Sequence, residues 1–130
     1  MAEDINIAIA EWARLLDEGS YFEAHEVLEG RWLRADEPEK TFLKGLIHVA
    51  VALHHHQRGN KHGARVKYQS AQRYLEPYRP IYRGIDLASL IDQLQPYFET
   101  LLTPAPGDAP APSPAVIHVP RNFPGNKLPN

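Results

Sequence analysis

Apolar positions along the chain recur with helical rather than strand spacing. Ile5, Ile9, Trp12 and Leu16 are separated by four, three and four residues, one stripe of an amphipathic helix that Gly19 ends. Ser20 followed by Glu23 has the form of a capping box and starts a second helix reaching to about Ala35. Asp36 with Glu39 repeats the device, Pro38 being tolerated in the opening turn, and launches FLKGLIHVAVALHHHQ as a third helix that Gly59 stops. Asn60 caps a fourth, lined on one face by Ala64, Tyr68, Ala71 and Leu75 and closed by Pro77 and Pro80. A loop passes through Gly84, and Asp86 opens a fifth helix in which Leu87, Leu90, Ile91, Leu94, Phe98 and Leu101 hold the period while Pro96 kinks it.

From Thr103 the pattern changes. Eight of the 12 prolines lie in residues 104–129, and PAPGDAPAPSPA reads as extended or disordered, with Val116, Ile117, Val119 and Phe123 as its possible anchors to this chain or to a neighbour. The expectation is an all-α protein: an irregular compact bundle of about five helices over residues 1–102, with an extended Pro-rich C-terminal tail over 103–130. GSYFEAHEVL and GNKHGARVKY also share a glycine, an alanine and a large apolar residue at equal offsets, similar to the start of a tetratricopeptide helix pair. The 40-residue offset is not that family's period, so two stacked helical hairpins are expected, with a peptide-binding groove as the alternative.

Polar side chains interrupt two of the apolar faces. On the second helix Tyr21, Ala24, Leu28 and Trp32 define the apolar face, yet His25 and Glu29 fall between hydrophobes, with Phe22 and Leu33 beyond them; Glu26 sits nearer the rim. On the third, His54 lies inside the arc from Val49 to Ile47, whereas Lys44, His48 and His55 share the wetter side and His56 an edge. A carboxylate submerged at Glu29 needs a donor, and His25 one turn before it and His54 across an antiparallel pair can supply one. Three readings follow. The cluster is a satisfied network that fixes helix register, a divalent-metal site of His25, Glu29 and His54 with Glu26 or water, or an acid–base site without metal, its catalytic candidates being His25, Glu26, Glu29 and His54. HEVLE is not HExxH, and the chain has no ExxH pair, phosphate loop or GxSxG elbow.

Composition narrows the field. The 130 residues suit one domain, 43% hydrophobic and 23% charged content is that of a globular protein, and the absence of cysteine excludes disulfides and thiolate chemistry. An acidic N-terminus and an apolar run broken by Lys44 and His48 point to no membrane and to the cytoplasm. Residues 1–39 hold 11 acids and 3 bases, residues 40–85 9 bases and 1 acid. Helices of the two halves are expected to cancel one another's field. A basic face for a polyanion would need Arg58, Lys61, Arg65, Lys67 and Arg73 together, and Lys67 points to the apolar side, so nucleic acid is disfavoured as a partner. A homo-oligomer held by the tail is a further possibility.

FEAHEVLEGRW, FLKGLIHVAVALHHHQRGNKHGA and the Gly84-Ile85-Asp86 that follows resemble the small all-helical bacterial and archaeal proteins of domain-of-unknown-function family 309 over about residues 12–102. The resemblance rests on His-Glu-x-x-Glu-x-x-Trp followed by Gly-Asn-x-x-Gly-Ala. It implies a bundle of about five helices and no assigned activity. It marks His25, Glu26, Glu29, Trp32, Gly45, His54, Gly59, Asn60, Gly63 and Ala64, of which the first three and His54 are the chemical remainder. The family pattern has glutamine where Lys44 and His48 stand here, which makes those two peripheral. Two functions are thereby expected: a metal-dependent or acid–base protein, or a non-catalytic helical module that binds a peptide or protein partner.

Overall fold

A computed structural model describes residues 2–102 and 117–121. Five α-helices follow one another: α1 (Ala2–Asp17), α2 (Tyr21–Trp32), α3 (Glu39–Gln57), α4 (Lys61–Leu75) and α5 (Leu87–Leu102). The all-α class and the helix count are those the periodicity predicts. Between α4 and α5 the chain makes a 3-10 turn, Glu76–Tyr78, and a short antiparallel hairpin of β1 (Ile81–Tyr82) and β2 (Ile85–Asp86). The hairpin falls where a loop was expected, because strands of two residues leave no period to read. Its two-residue turn has φ 47° at Arg83 and 81° at Gly84, the positive values that a tight hairpin requires.

Glycine stops and an asparagine cap behave as the sequence predicts. Gly19, at φ 80°, ends α1 with its N–H donating to the Leu16 carbonyl and Ser20 N–H to that of Leu15. Gly59, at φ 78°, ends α3, and Asn60 Oδ1 accepts the Gly63 N–H at 2.9 Å to open α4. The two expected capping boxes do not form as such. Ser20 precedes α2 without a side-chain bond to it. At α3 the cap comes from Glu37, whose carboxylate accepts from Thr41 N–H at 3.0 Å and Thr41 Oγ at 2.7 Å and is held below its ordinary pKa by those bonds. Asp86 caps α5 through Ser89, N–H and hydroxyl both at 3.0 Å, and that helix runs through Pro96.

Helix α3 lies in the middle, against α2 on one side and α4 on the other, with α1 outside α2 and α5 outside α4. Its approach to α4 is closest at Gly45, where a Cβ would come within 2.6 Å of Leu75 Cγ. Trp12, Phe42 and Phe98 are fully buried, and Phe98 stacks on Tyr68 with ring centroids 4.2 Å apart. Each such side chain contributes about 1.5–3 kcal/mol by leaving water.

The segment 117–121 is extended and completes the core. Ile117 and Val119 are buried, Val119 N–H and Arg121 both bind Asp17 at 2.7 Å, and Asp86 N–H donates to the Pro120 carbonyl. Gln93 exchanges two hydrogen bonds with the His118 backbone. Two of the expected anchors therefore dock on this chain itself, inside the stretch read as tail; Val116, Phe123 and most of the Pro-rich segment lie outside the described residues. Among the described residues no helix is long and apolar enough to cross a membrane.

Candidate functional site

The expected submerged acid is not submerged. Glu29 is exposed, 56% by its side chain, and Glu26 is exposed as well. The error has a clear cause: Phe22 and Leu33, the hydrophobes that seemed to enclose Glu29, are themselves 47% and 67% exposed. Phe22, Glu26 and Glu29 of α2 and Leu33 just after it form one exposed stripe, while Tyr21, Ala24 and Leu28 face the core. An apolar neighbour on a helical wheel signals burial only if another element reaches it.

His25 is the inner member of the group. Its Nδ1 lies 2.7 Å from the Phe22 carbonyl, which can only accept, so Nδ1 carries the proton and Nε2 turns toward Glu29 Oε2 at 3.4 Å. His54 does not join them. The Phe22 ring packs against both histidines, 4.9 Å from the His25 ring and 5.4 Å from that of His54. Partial burial first, and then Arg58, His55 and His25, push the His54 pKa down. Among the described residues no three histidine, aspartate or glutamate side chains gather closely enough to hold a metal ion.

Nor is His54 the innermost of its triplet. His56, expected at an edge, is 8% exposed, its Nε2 buried without a partner and its ring 6.0 Å from those of Tyr97 and Phe98. Burial pushes its pKa down. Helix α5 supplies this cover, and a wheel drawn for α3 alone has no α5 in it.

Two other polar regions stand out. Near the hairpin a cavity of about 290 Å³ is lined by Arg31, Arg34, Arg83, Asp36 and Glu39. Its charges are largely answered within the fold: Arg83 donates to Asn6 at 2.9 Å and Glu39 at 3.0 Å, Tyr82 donates to Glu39 at 2.8 Å, and Asp4 pairs with Arg31 and Arg34. Arg83 fixes the hairpin to α1 and α3, which accounts for an arginine at a positive φ.

On the α3–α4 seam the balance is different. His48, expected on the wetter side and peripheral, is half-buried, with Nδ1 enclosed and unpartnered and its ring 5.2 Å from that of Tyr74. Burial first, then Lys67, Lys44 and Arg73, lowers its pKa to about 4, so the imidazole is neutral at pH 7. Lys44 Nζ stands 5.2 Å from the Tyr74 ring and 5.7 Å from that of Trp32; Arg73 is 5.6 Å from Tyr74, and Lys40 4.9 Å from Trp32. Among the described residues none of Lys40, Lys44, Lys67 and Arg73 has a carboxylate at salt-bridge distance. The charge imbalance of residues 40–85 and the apolar-side placement of Lys67 were the sequence signals for this face. They were not enough, since Lys67 comes to act on His48 only through the pairing of α3 with α4.

Residues 9–66 match the family model described as Domain of unknown function (DUF309). Over 87 residues the chain is 37% identical to the uncharacterized protein YpuF of Bacillus subtilis (strain 168), a match covering 64% of this chain and 49% of that protein. Over 85 residues it is 32% identical to an uncharacterized protein of Aquifex aeolicus (strain VF5), covering 65% of this chain and 24% of the other. The chain thus spans about half the length of the first relative and a quarter of the second. From the second turns of α1 to the first turns of α4, the family found is the one resembled by His25-Glu26-x-x-Glu29-x-x-Trp32: DUF309.

Proposed function

We propose that the protein is a non-catalytic binding module whose partner is anionic and docks on the basic face where α3 meets α4. The observation that carries this is the action of Lys44, Lys67 and Arg73 together on a neutral His48, with Lys40 one turn before Lys44 and, among the described residues, no carboxylate at salt-bridge distance from any of the four. Like charges held together oppose folding; Lys40 and Lys44, one turn apart, repel by about 0.2–0.5 kcal/mol in a helix. A bound anion removes that repulsion. Nucleic acid is disfavoured on the set Arg58, Lys61, Arg65, Lys67 and Arg73, whereas the set assembled here joins Lys67 and Arg73 of α4 to Lys40 and Lys44 of α3.

Acid–base or metal chemistry at His25, Glu26, Glu29 and His54 is the second reading. What supports it is the approach of His25 to Glu29; that no three such side chains gather among the described residues speaks against a shared ion.

The test is fluorescence anisotropy with a labelled oligothymidylate, and with inorganic polyphosphate as competitor, across a salt series. Binding is expected at low salt, with a log–log salt slope of about −0.7 for each phosphate neutralised, hence about −3 if the four cations each meet one. Lys44→Glu combined with Lys67→Glu should abolish it, while Arg14→Glu on the opposite helix should leave it unchanged. Failure of the wild type to bind either polyanion at low salt overturns the proposal.

A further inference from the structure

We propose that Lys44, Lys67 and Arg73 seat a phosphate group against His48, and that the imidazole takes up a proton when the phosphate binds. This rests on the binding-module reading above and assigns the ligand class and the pH response of the same face. The geometry is local. Lys44, Arg73 and His48 all stand within 5.6 Å of one ring, that of Tyr74, from α3 on one side and α4 on the other. His48 adds an independent mark: an enclosed ring nitrogen with no partner, which is costly in a folded protein.

The chemistry of the donors selects phosphate. Lys44 and Arg73 at the Tyr74 ring, with Lys67 adding its charge at His48, bring more positive charge than a single carboxylate answers. A phosphate offers more charge and oxygens pointing several ways. Free phosphate and the phosphodiester of a nucleic acid share this group, and the probes below separate them.

The proton follows from the field. The charged groups acting on His48 are Lys44 on its own helix and Lys67 and Arg73 on α4, all positive, and with partial burial they keep the ring neutral until about pH 4. An anion placed among them reverses the sign of the local field. The imidazolium is then favoured, so the pKa of His48 rises on binding, and by linkage the affinity rises as the pH falls toward that raised value. A phosphodiester does not itself titrate in this range, so with an oligonucleotide the pH dependence belongs to the protein.

The experiment follows the His48 ring Cε1–H resonance by NMR, assigned through its loss in His48→Gln, from pH 3.5 to 8. It is run on the free protein, with inorganic phosphate, and with oligothymidylate. The expected result is a His48 pKa at least one pH unit higher with a saturating ligand, and an oligonucleotide affinity that climbs, as the pH drops, by about tenfold for every pH unit separating the bound from the free pKa. His48→Gln should still bind at pH 7 but lose this part of the pH dependence. Should that variant fail to fold, Lys44→Gln with Lys67→Gln serves instead: it should raise the His48 pKa of the free protein and cancel the effect of ligand. A response to both probes identifies the phosphate group as sufficient; a response to oligonucleotide alone narrows the ligand to a phosphodiester chain. Oligonucleotide binding with the His48 pKa unmoved overturns the phosphate seat while leaving the binding face intact. Absence of binding by either anion removes both.

Discussion

The two sides of α3 carry histidines with different surroundings. Toward α2, His54 lies against the Phe22 ring, and the groups acting on it are of both signs, Arg58, His55 and His25 lowering its pKa and Glu23 raising it. Toward α4, His48 is half-buried beside Tyr74, and every charge acting on it is positive. The same residue type on one helix is thus placed in an open setting of mixed charge on one side and a base-bearing, half-buried one on the other. Water screens the first arrangement, so the charges around His54 weigh little on it. The second is less screened, and its uncompensated charge is the feature that calls for a partner.

The largest expected effect comes from parting α3 and α4. Gly45→Ala drives a methyl group to within 2.6 Å of Leu75 Cγ, and Leu75 is fully buried with nowhere to move. We expect a loss of about 1–3 kcal/mol in urea unfolding, as for other overpacked cores. Along with it the pKa of His48 should rise toward its ordinary 6.5 as the α4 cations move away. Unchanged stability would mean that the seam is looser than described and the difference between the two sides smaller.

A middle-sized effect is expected from pH. The folded-state pKa of His48, about 4, lies below the ordinary 6.5, so the unfolded chain binds the extra proton first. Stability should therefore fall as the pH drops from about 6.5 and stop falling on this account near 4. His54 and His56, whose pKa values are also lowered, act in the same direction. The share of His48 is the change, between pH 7 and 4, in the gap between wild type and His48→Gln in urea midpoints. A gap constant over that range would show that the imidazole is not held neutral by its neighbours.

The smallest effect belongs to the α2 side. Glu29→Gln removes one exposed contact between residues one turn apart, and at neutral pH it should change stability by no more than about 0.5 kcal/mol. Elemental analysis of the same protein and of His25→Ala sharpens this. Stoichiometric metal in the wild type that is lost in both variants would transfer the functional weight from α4 to α2.

Local sequence determined the helices, because a helix boundary depends on residues a few positions apart. Gly19 and Gly59 stop their helices by adopting positive φ, Asn60 caps the next turn, and the stripe from Ile5 to Leu16 faces the core as its spacing requires. Gly45 is one of the positions the family resemblance marks, and the approach of Leu75 gives it a packing reason. The His-Glu pattern on α2 and the Gly-Asn-x-x-Gly-Ala that follows α3, read as a resemblance over about residues 12–102, pointed to the family whose model matches residues 9–66.

Burial of any one polar side chain was decided elsewhere. A wheel gives the direction of a side chain from its own helix axis, but not how far the covering elements extend. Phe22 and Leu33 therefore failed to bury Glu29, and α5 closed over His56 rather than His54. Glu37 rather than Asp36 reached Thr41, Ile117 and Val119 entered a core assembled by distant helices, and Lys67 came to His48 from the facing helix. Each is a contact between parts of the chain whose relative position exists only once the helices have packed, and for that reason the tertiary structure, not the linear pattern, located the face on which the proposed function rests.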